Sequence, residues 1–83
     1  MNWNEDAKAF LEELVEPIPV FVRPMAKKGI EKKITELAEG DEITKEDVIR
    51  GYILGSTGKM QQKAIETLKS KDIDLTPYED LLP

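Results

Sequence analysis

Arg23 is the charged residue with the most distinctive setting in this sequence, because it follows the apolar run Ile18-Pro19-Val20-Phe21-Val22. A guanidinium group matches the geometry of a carboxylate, so Arg23 could recognise an acidic ligand. The alternative is structural: an ion pair, for which Glu31 is a candidate partner, or hydrogen bonds to carbonyl groups at a helix end. We favour the structural role and predict that Arg23 is partly buried.

Other polar patterns lack the spacing that a chemical site requires. Gly55-Ser56-Thr57-Gly58-Lys59 superficially resembles a phosphate-binding loop, but Met60 follows the lysine and no strand is predicted before it. Adjacent acids such as Glu12 and Glu13 point in different directions on a helix, so they do not converge on a metal. The chain has no histidine and no cysteine, which are common general bases and ligands. We therefore predict no catalytic residues and no metal site.

The composition is typical of a small helical protein, and we expect one domain over residues 1–83. The formal net charge of −5 argues against binding to nucleic acid or to an anionic membrane. Four lysines between residues 27 and 33 are interpreted as a solvated helix face. No apolar run approaches the ~20 residues of a membrane span, and no signal peptide is visible. These features predict a cytoplasmic protein.

The apolar spacing predicts an all-α fold, a small bundle of about four short helices, with no strand. Asn4 is a candidate N-cap, and Thr44-Lys45-Glu46-Asp47 resembles a capping box. Pro24 suits the first position of a helix, and Thr76-Pro77 could cap one final turn from Tyr78 to Leu82. The helices are predicted at residues 4–15, 24–39, 45–54 and 59–70.

Three glycines fall inside these predicted helices or at their ends. Gly29 costs about 1 kcal/mol relative to alanine, and either the close approach of another backbone or chance would explain it. Gly51 and Gly55 are expected to weaken the third helix and keep it short.

One apolar core is predicted, and its members are Phe10, Leu11, Leu14, Ile18, Phe21, Ile30, Ile34, Val48 and Ile53.

One ordered set of features also occurs in a known family. The features are Trp3, Ala7, Leu11, residues 18–23, Ile30-Glu31, Gly40 and Ile43-Thr44-Lys45-Glu46-Asp47-Val48. Together they resemble the C-terminal domain of the B subunit of light-independent protochlorophyllide reductase. The resemblance covers residues 3–54, and its most specific element is residues 18–23. Residues 55–83 are interpreted as a C-terminal helical extension.

The resemblance implies a stand-alone, non-catalytic helical module that accompanies a nitrogenase-like oxidoreductase of chlorophyll biosynthesis and photosynthesis. That enzyme reduces protochlorophyllide with ATP, ferredoxin electrons and iron–sulfur clusters, whose ligands lie in a preceding domain that is missing here. We therefore expect no redox or hydrolytic activity and no cofactor bound by the chain alone. The implied partners are a larger reductase subunit and a tetrapyrrole.

A tetrapyrrole is flat and apolar with carboxylates at its edge, so its site would need an apolar surface and a cation. The candidate surface that offers both comprises Val20, Phe21, Arg23 and Lys27. The alternative function is a generic protein–protein interaction module without a tetrapyrrole role.

Overall fold

Four α-helices and one 3-10 helix form the protein, and a computed structural model describes residues 2–56 and 58–82. The all-α fold class is confirmed, and each predicted helix is found within two residues of its predicted bounds. The predicted final turn is a 3-10 helix, Thr76–Leu81, but its N-cap is Leu75 and no side chain caps it, so the cap predicted at Thr76-Pro77 is wrong. The elements in chain order are β1 (Asn2–Trp3), α1 (Glu5–Val15), α2 (Arg23–Leu37), β2 (Glu42–Ile43), α3 (Lys45–Gly55) and α4 (Lys59–Ser70).

The two short strands correct the prediction that the chain has no strand. β1 pairs with β2 in parallel, with Asn2 opposite Glu42 and Trp3 opposite Ile43. Adjacent backbone bonds extend the pairing, since the Asn4 N–H donates to the Ile43 carbonyl at 3.0 Å. Two residues are too few to show an alternating pattern, so the sequence carried no signal for this pair. The pairing fixes the start of α1 beside the start of α3.

The helix caps predicted at Asn4 and Thr44 are present. The Asn4 side chain accepts a hydrogen bond from the Asp6 N–H at 2.8 Å. At the start of α3, the Thr44 hydroxyl accepts from the Asp47 N–H at 3.4 Å, and the Asp47 carboxylate accepts from the Thr44 N–H at 3.0 Å. These reciprocal bonds form a complete capping box, which satisfies two backbone donors that the helix leaves free.

The closest helix crossing lies between α2 and α3, at Gly51 and not at Gly29. A β-carbon built on Gly51 would lie 2.7 Å from the Ile34 Cα, whereas one built on Gly29 meets no atom within 4 Å. A β-carbon on Gly55 would lie 3.4 Å from the Ile30 Cα. The two glycines of α3 therefore allow α2 to pack against it at backbone distance.

One hydrophobic core joins all four helices and the 3-10 helix. Seven of the nine predicted core residues are buried, but Phe21 is 87% exposed and Ile18 is only partly buried. The prediction that Phe21 is buried was wrong because residues 19–22 form a tight turn. In this turn the Val22 and Arg23 N–H groups both donate to the Pro19 carbonyl. The turn closes before Phe21 can reach the core. Buried residues beyond the predicted set are Ala7, Val15, Ile43, Ile49, Tyr52, Ala64, Leu68, Leu75 and Tyr78.

Candidate functional site

The most unusual surface of the molecule is a cluster of exposed apolar side chains between α1 and α2. We call this cluster the apolar tip, and its members are Val20, Phe21, Val22 and Met25. Val20 is 73% exposed, Phe21 87% and Met25 80%. Exposed apolar side chains are usually scattered singly, and a contiguous group marks a surface that contacts another apolar phase. The tip is therefore the first candidate for a binding surface.

Arg23 holds the base of the apolar tip. Its Nε and Nη2 atoms donate to the Ile18 carbonyl at 3.1 and 2.9 Å, and Nη2 also donates to the Glu16 carbonyl at 2.8 Å. The last carbonyl groups of a helix lack partners within it, and α1 ends at Val15. The structural role predicted for Arg23 is confirmed. Of its two alternatives, the structure shows hydrogen bonds to carbonyl groups at a helix end and not an ion pair with Glu31. The guanidinium uses these donors to fix the loop.

Lys27, the other cation of the predicted surface, forms an ion pair with Glu12 that joins α2 to α1. Its hydrogen bond to Glu12 raises the pKa of Lys27, although burial acts in the opposite direction. The structure therefore brings Val20 and Phe21 to the surface but directs Arg23 and Lys27 toward α1. The four predicted residues do not converge on one ligand position.

A second feature, an apolar groove of about 680 Å³, lies beside the tip. Residues 17–19 and α2 form one wall, α4 forms the opposite wall, and the end of α3 contributes to the floor. Its principal apolar lining residues are Leu14, Ile18, Ala26, Ile30, Met60 and Ala64. This volume lies within the ~300–1,000 Å³ of ligand pockets in proteins. We refer to this feature below as the groove.

The serine and threonine hydroxyl groups that line the groove donate to the chain's own carbonyls. Ser56 donates to the Tyr52 carbonyl at 2.8 Å, Thr67 to the Lys63 carbonyl at 2.8 Å, and Ser70 to the Thr67 carbonyl at 2.7 Å. Burial raises the pKa of the Tyr52 phenol, which stays neutral at ordinary pH. The groove therefore offers a ligand apolar contact and few free hydrogen bonds.

Sequence reasoning missed the groove, although one signal for it was present. The spacing of Ala26 and Ile30 on α2, and of Met60 and Ala64 on α4, indicates an apolar stripe on each helix. A stripe shows which face of a helix is apolar. It does not show whether the partner helix packs against that face or leaves a gap.

Residues 2–56 and 58–82 hold neither a cluster of metal ligands nor a membrane-spanning helix. Across these residues, no three acidic side chains come together in a group that could hold a metal ion. In the same part of the chain, every helix lacks the length and apolar character that crossing a membrane requires.

The comparisons with known proteins point to one family and one relative. A family model described as "Protein of unknown function (DUF2621)" matches residues 1–82. The chain is 41% identical over 83 residues to "Membrane protein YneK" of Bacillus subtilis (strain 168), and the match covers 96% of this chain. The chain spans only 58% of the length of that relative. No solved structure matches the chain.

These matches show that the resemblance to protochlorophyllide reductase was wrong. The family model covers residues 1–82 and, like the relative's name, gives no indication of a nitrogenase-like enzyme, chlorophyll biosynthesis or photosynthesis. The structure gives residues 18–23 another explanation, because Pro19 closes a turn and Arg23 ties that turn to the end of α1. The motif is accounted for by loop structure, and the accessory role in a tetrapyrrole complex is withdrawn.

Proposed function

Because the chain belongs to DUF2621, a family of proteins of unknown function, we propose its function from the surface it exposes. The chain is a membrane-surface-binding module that inserts its apolar tip into the interface of an anionic lipid bilayer. The observation that carries this proposal is the exposure of Val20, Phe21 and Met25, each more than 70% accessible, with Val20 and Phe21 on the turn before α2 and Met25 in the first turn of α2.

The apolar tip supplies the hydrophobic part of the binding energy. Moving a Val, Phe or Met side chain fully out of water contributes about 1.5–3 kcal/mol. Three such groups, two on the turn and one at the start of α2, favour partial insertion at the boundary between headgroups and acyl chains. Arg23 fixes the turn through the Ile18 and Glu16 carbonyls, so little ordering entropy is lost on insertion.

The local charge around the apolar tip supplies the electrostatic part of the binding energy. Residues 17–33 contain five basic residues and one acidic residue, which gives +4, whereas the whole chain carries −5. Two of these basic residues, Lys27 and Lys33, pair with Glu12 and Glu36 outside the segment. Lys28 and Lys32 are exposed and follow Met25 at spacings of three and seven residues, so they share its face of α2. Each lysine near an anionic membrane contributes about 1 kcal/mol. The tip and this lysine pair therefore approach the bilayer together.

The expectation of no membrane partner rested on the charge of the whole chain. At physiological ionic strength, exposed charges more than about 8 Å apart are largely screened. The local charge of the contacting face therefore decides the interaction. The relative's name, "Membrane protein YneK", supports a membrane setting.

Vesicle co-sedimentation tests the proposal, with phosphatidylglycerol-containing vesicles and pure phosphatidylcholine vesicles compared at low and physiological salt. We expect binding to the anionic vesicles that weakens as salt rises. Phe21→Ser should weaken binding about tenfold, since it removes one inserted side chain. The matched control is Met60→Ser, which removes an exposed apolar side chain outside the tip.

The charge contribution is tested by a double variant, Lys28→Gln with Lys32→Gln, against Lys59→Gln with Lys69→Gln on α4. We expect only the α2 pair to lose binding. Because Phe21 is exposed, Phe21→Ser should unfold at the wild-type denaturant midpoint, within about 0.5 kcal/mol. Equal binding of wild type and Phe21→Ser, or no binding to anionic vesicles at low salt, would refute the proposal.

A further inference from the structure

We propose that the groove binds the alkyl chain of a single-chain anionic amphiphile, a long-chain carboxylate, whose headgroup is received by the Lys63 ammonium group. This inference rests on the groove and its rim, and not on the membrane contact proposed for the tip. It assigns a ligand class to a cavity that the tip does not use.

The lining determines which part of a ligand the groove can hold. Leu14, Ile30 and Ala64 are buried core residues that also line the groove, so its floor is continuous with the hydrophobic core. Since the lining hydroxyls of Ser56 and Thr67 donate to backbone carbonyls, a polar ligand would gain few hydrogen bonds there. An alkyl chain needs none, and its burial is favourable in proportion to its apolar area.

The rim determines the headgroup. Lys63 lines the groove from α4 and is exposed. Within residues 2–56 and 58–82 the ion pairs are Lys27–Glu12, Lys33–Glu36 and Arg50–Asp47, so Lys63 has no acidic partner there. Glu66 lies on the same rim one turn further along α4, so it weakens the attraction of Lys63 for a carboxylate and disfavours a doubly charged headgroup more strongly. One cation above an apolar groove matches one carboxylate on one chain.

A titration of the isotope-labelled protein with laurate, below its micelle concentration, tests the assignment. The control ligand is dodecyltrimethylammonium, which has the same chain length and the opposite charge. We expect laurate to shift the methyl resonances of Ala26, Ile30 and Ala64. Affinity should rise about three- to fourfold for each methylene added from octanoate onward, until the groove is filled.

Substitutions at the rim separate the headgroup contact from general charge. Lys63→Gln should weaken laurate binding about two- to fivefold, which is typical of an exposed ion pair. Lys59→Gln, one turn earlier on α4 and outside the lining, should leave binding unchanged. Equal affinity for laurate and dodecyltrimethylammonium would overturn the assignment of Lys63.

Substitutions that fill the groove test its location. Ala26→Phe should abolish laurate binding, whereas Ala9→Phe on the exposed face of α1 should not. Met60→Trp fills the groove from the opposite wall and serves if Ala26→Phe does not fold. Laurate shifts confined to Val20 and Phe21, or binding that survives both groove-filling variants, would overturn the proposal.

The two proposals fail separately. If the protein binds laurate in the groove but does not bind vesicles, only the membrane proposal is refuted. If the protein binds vesicles through Phe21 but does not bind laurate, only the groove proposal is refuted.

Discussion

The packing of α2 against α3 predicts that replacing Gly51 by alanine destabilises the protein, although alanine is the better helix former. Gly51 lies inside α3, where alanine would contribute about 1 kcal/mol of helix propensity. Its β-carbon, however, would lie 2.2 Å from the Ile34 Cγ1, 2.7 Å from the Ile34 Cα and 2.9 Å from the Ile34 nitrogen. Two of these atoms are backbone, so a change of rotamer at Ile34 cannot relieve the contact.

The distances set the magnitude of the effect. Carbon atoms in contact lie about 3.5–4.0 Å apart, so the two helices would have to separate by about 0.8 Å or more along this direction. Overpacking of this kind costs about 1–3 kcal/mol and occasionally more, and we expect the upper end because the backbone must move. After the propensity gain is subtracted, the net loss is about 2 kcal/mol. A chain of 83 residues has an unfolding free energy of about 4–12 kcal/mol, so this loss is a large fraction of its stability.

Urea denaturation followed by circular dichroism measures the difference, with Gly29→Ala as the matched control. Gly29 also lies inside a helix, but its added β-carbon meets no atom within 4 Å. Gly29→Ala should therefore stabilise the protein by about 0.5–1 kcal/mol, whereas Gly51→Ala should lower the melting temperature by about 8–16 °C. If Gly51→Ala is as stable as wild type, or more stable, the close crossing of α2 and α3 does not exist and the reasoning is refuted.

Two further predictions concern polar groups that fix local structure. Burial by itself would raise the pKa of Asp47, but hydrogen bonds from Thr44 and Arg50 outweigh it and hold that pKa below its usual value. Asp47 therefore stabilises the fold above the pKa of an unfolded carboxyl, about 4, and this contribution is lost as the pH falls through the lower folded value. Denaturation curves at several pH values measure the difference in unfolding free energy between wild type and Asp47→Asn. This difference should be constant above about pH 5 and shrink below about pH 4. A difference that grows in acid would contradict this assignment. Arg23→Lys should destabilise by about 1–2 kcal/mol in the same assay, because a single ammonium group cannot replace the guanidinium fork that bonds two carbonyls at the end of α1; full rescue by lysine would contradict that geometry.

Helix positions and helix starts were determined by the sequence alone. The α4 bounds are the predicted ones, and the caps at Asn4 and Thr44 form the predicted hydrogen bonds. These features depend on residues within about four positions of one another, so their chemistry is complete in a short stretch of sequence. The bonds from Arg23 to the Glu16 and Ile18 carbonyls span seven and five residues, and the sequence left them open against an ion pair with Glu31.

The candidate surfaces were decided only by the tertiary structure. Phe21 has the composition of a core residue, and its exposure follows from the direction in which the Pro19 turn projects from the helices. The groove exists because Ala26 and Met60, more than thirty residues apart, face each other across a gap. The close crossing at Gly51 likewise depends on the backbone of a different helix. The hydrophobic effect is not directional, so an apolar side chain is stabilised by leaving water whether it packs in the core or against a binding partner. Its residue type therefore does not distinguish a core position from an exposed binding surface. The distance between elements that are remote in sequence decides which of the two it becomes.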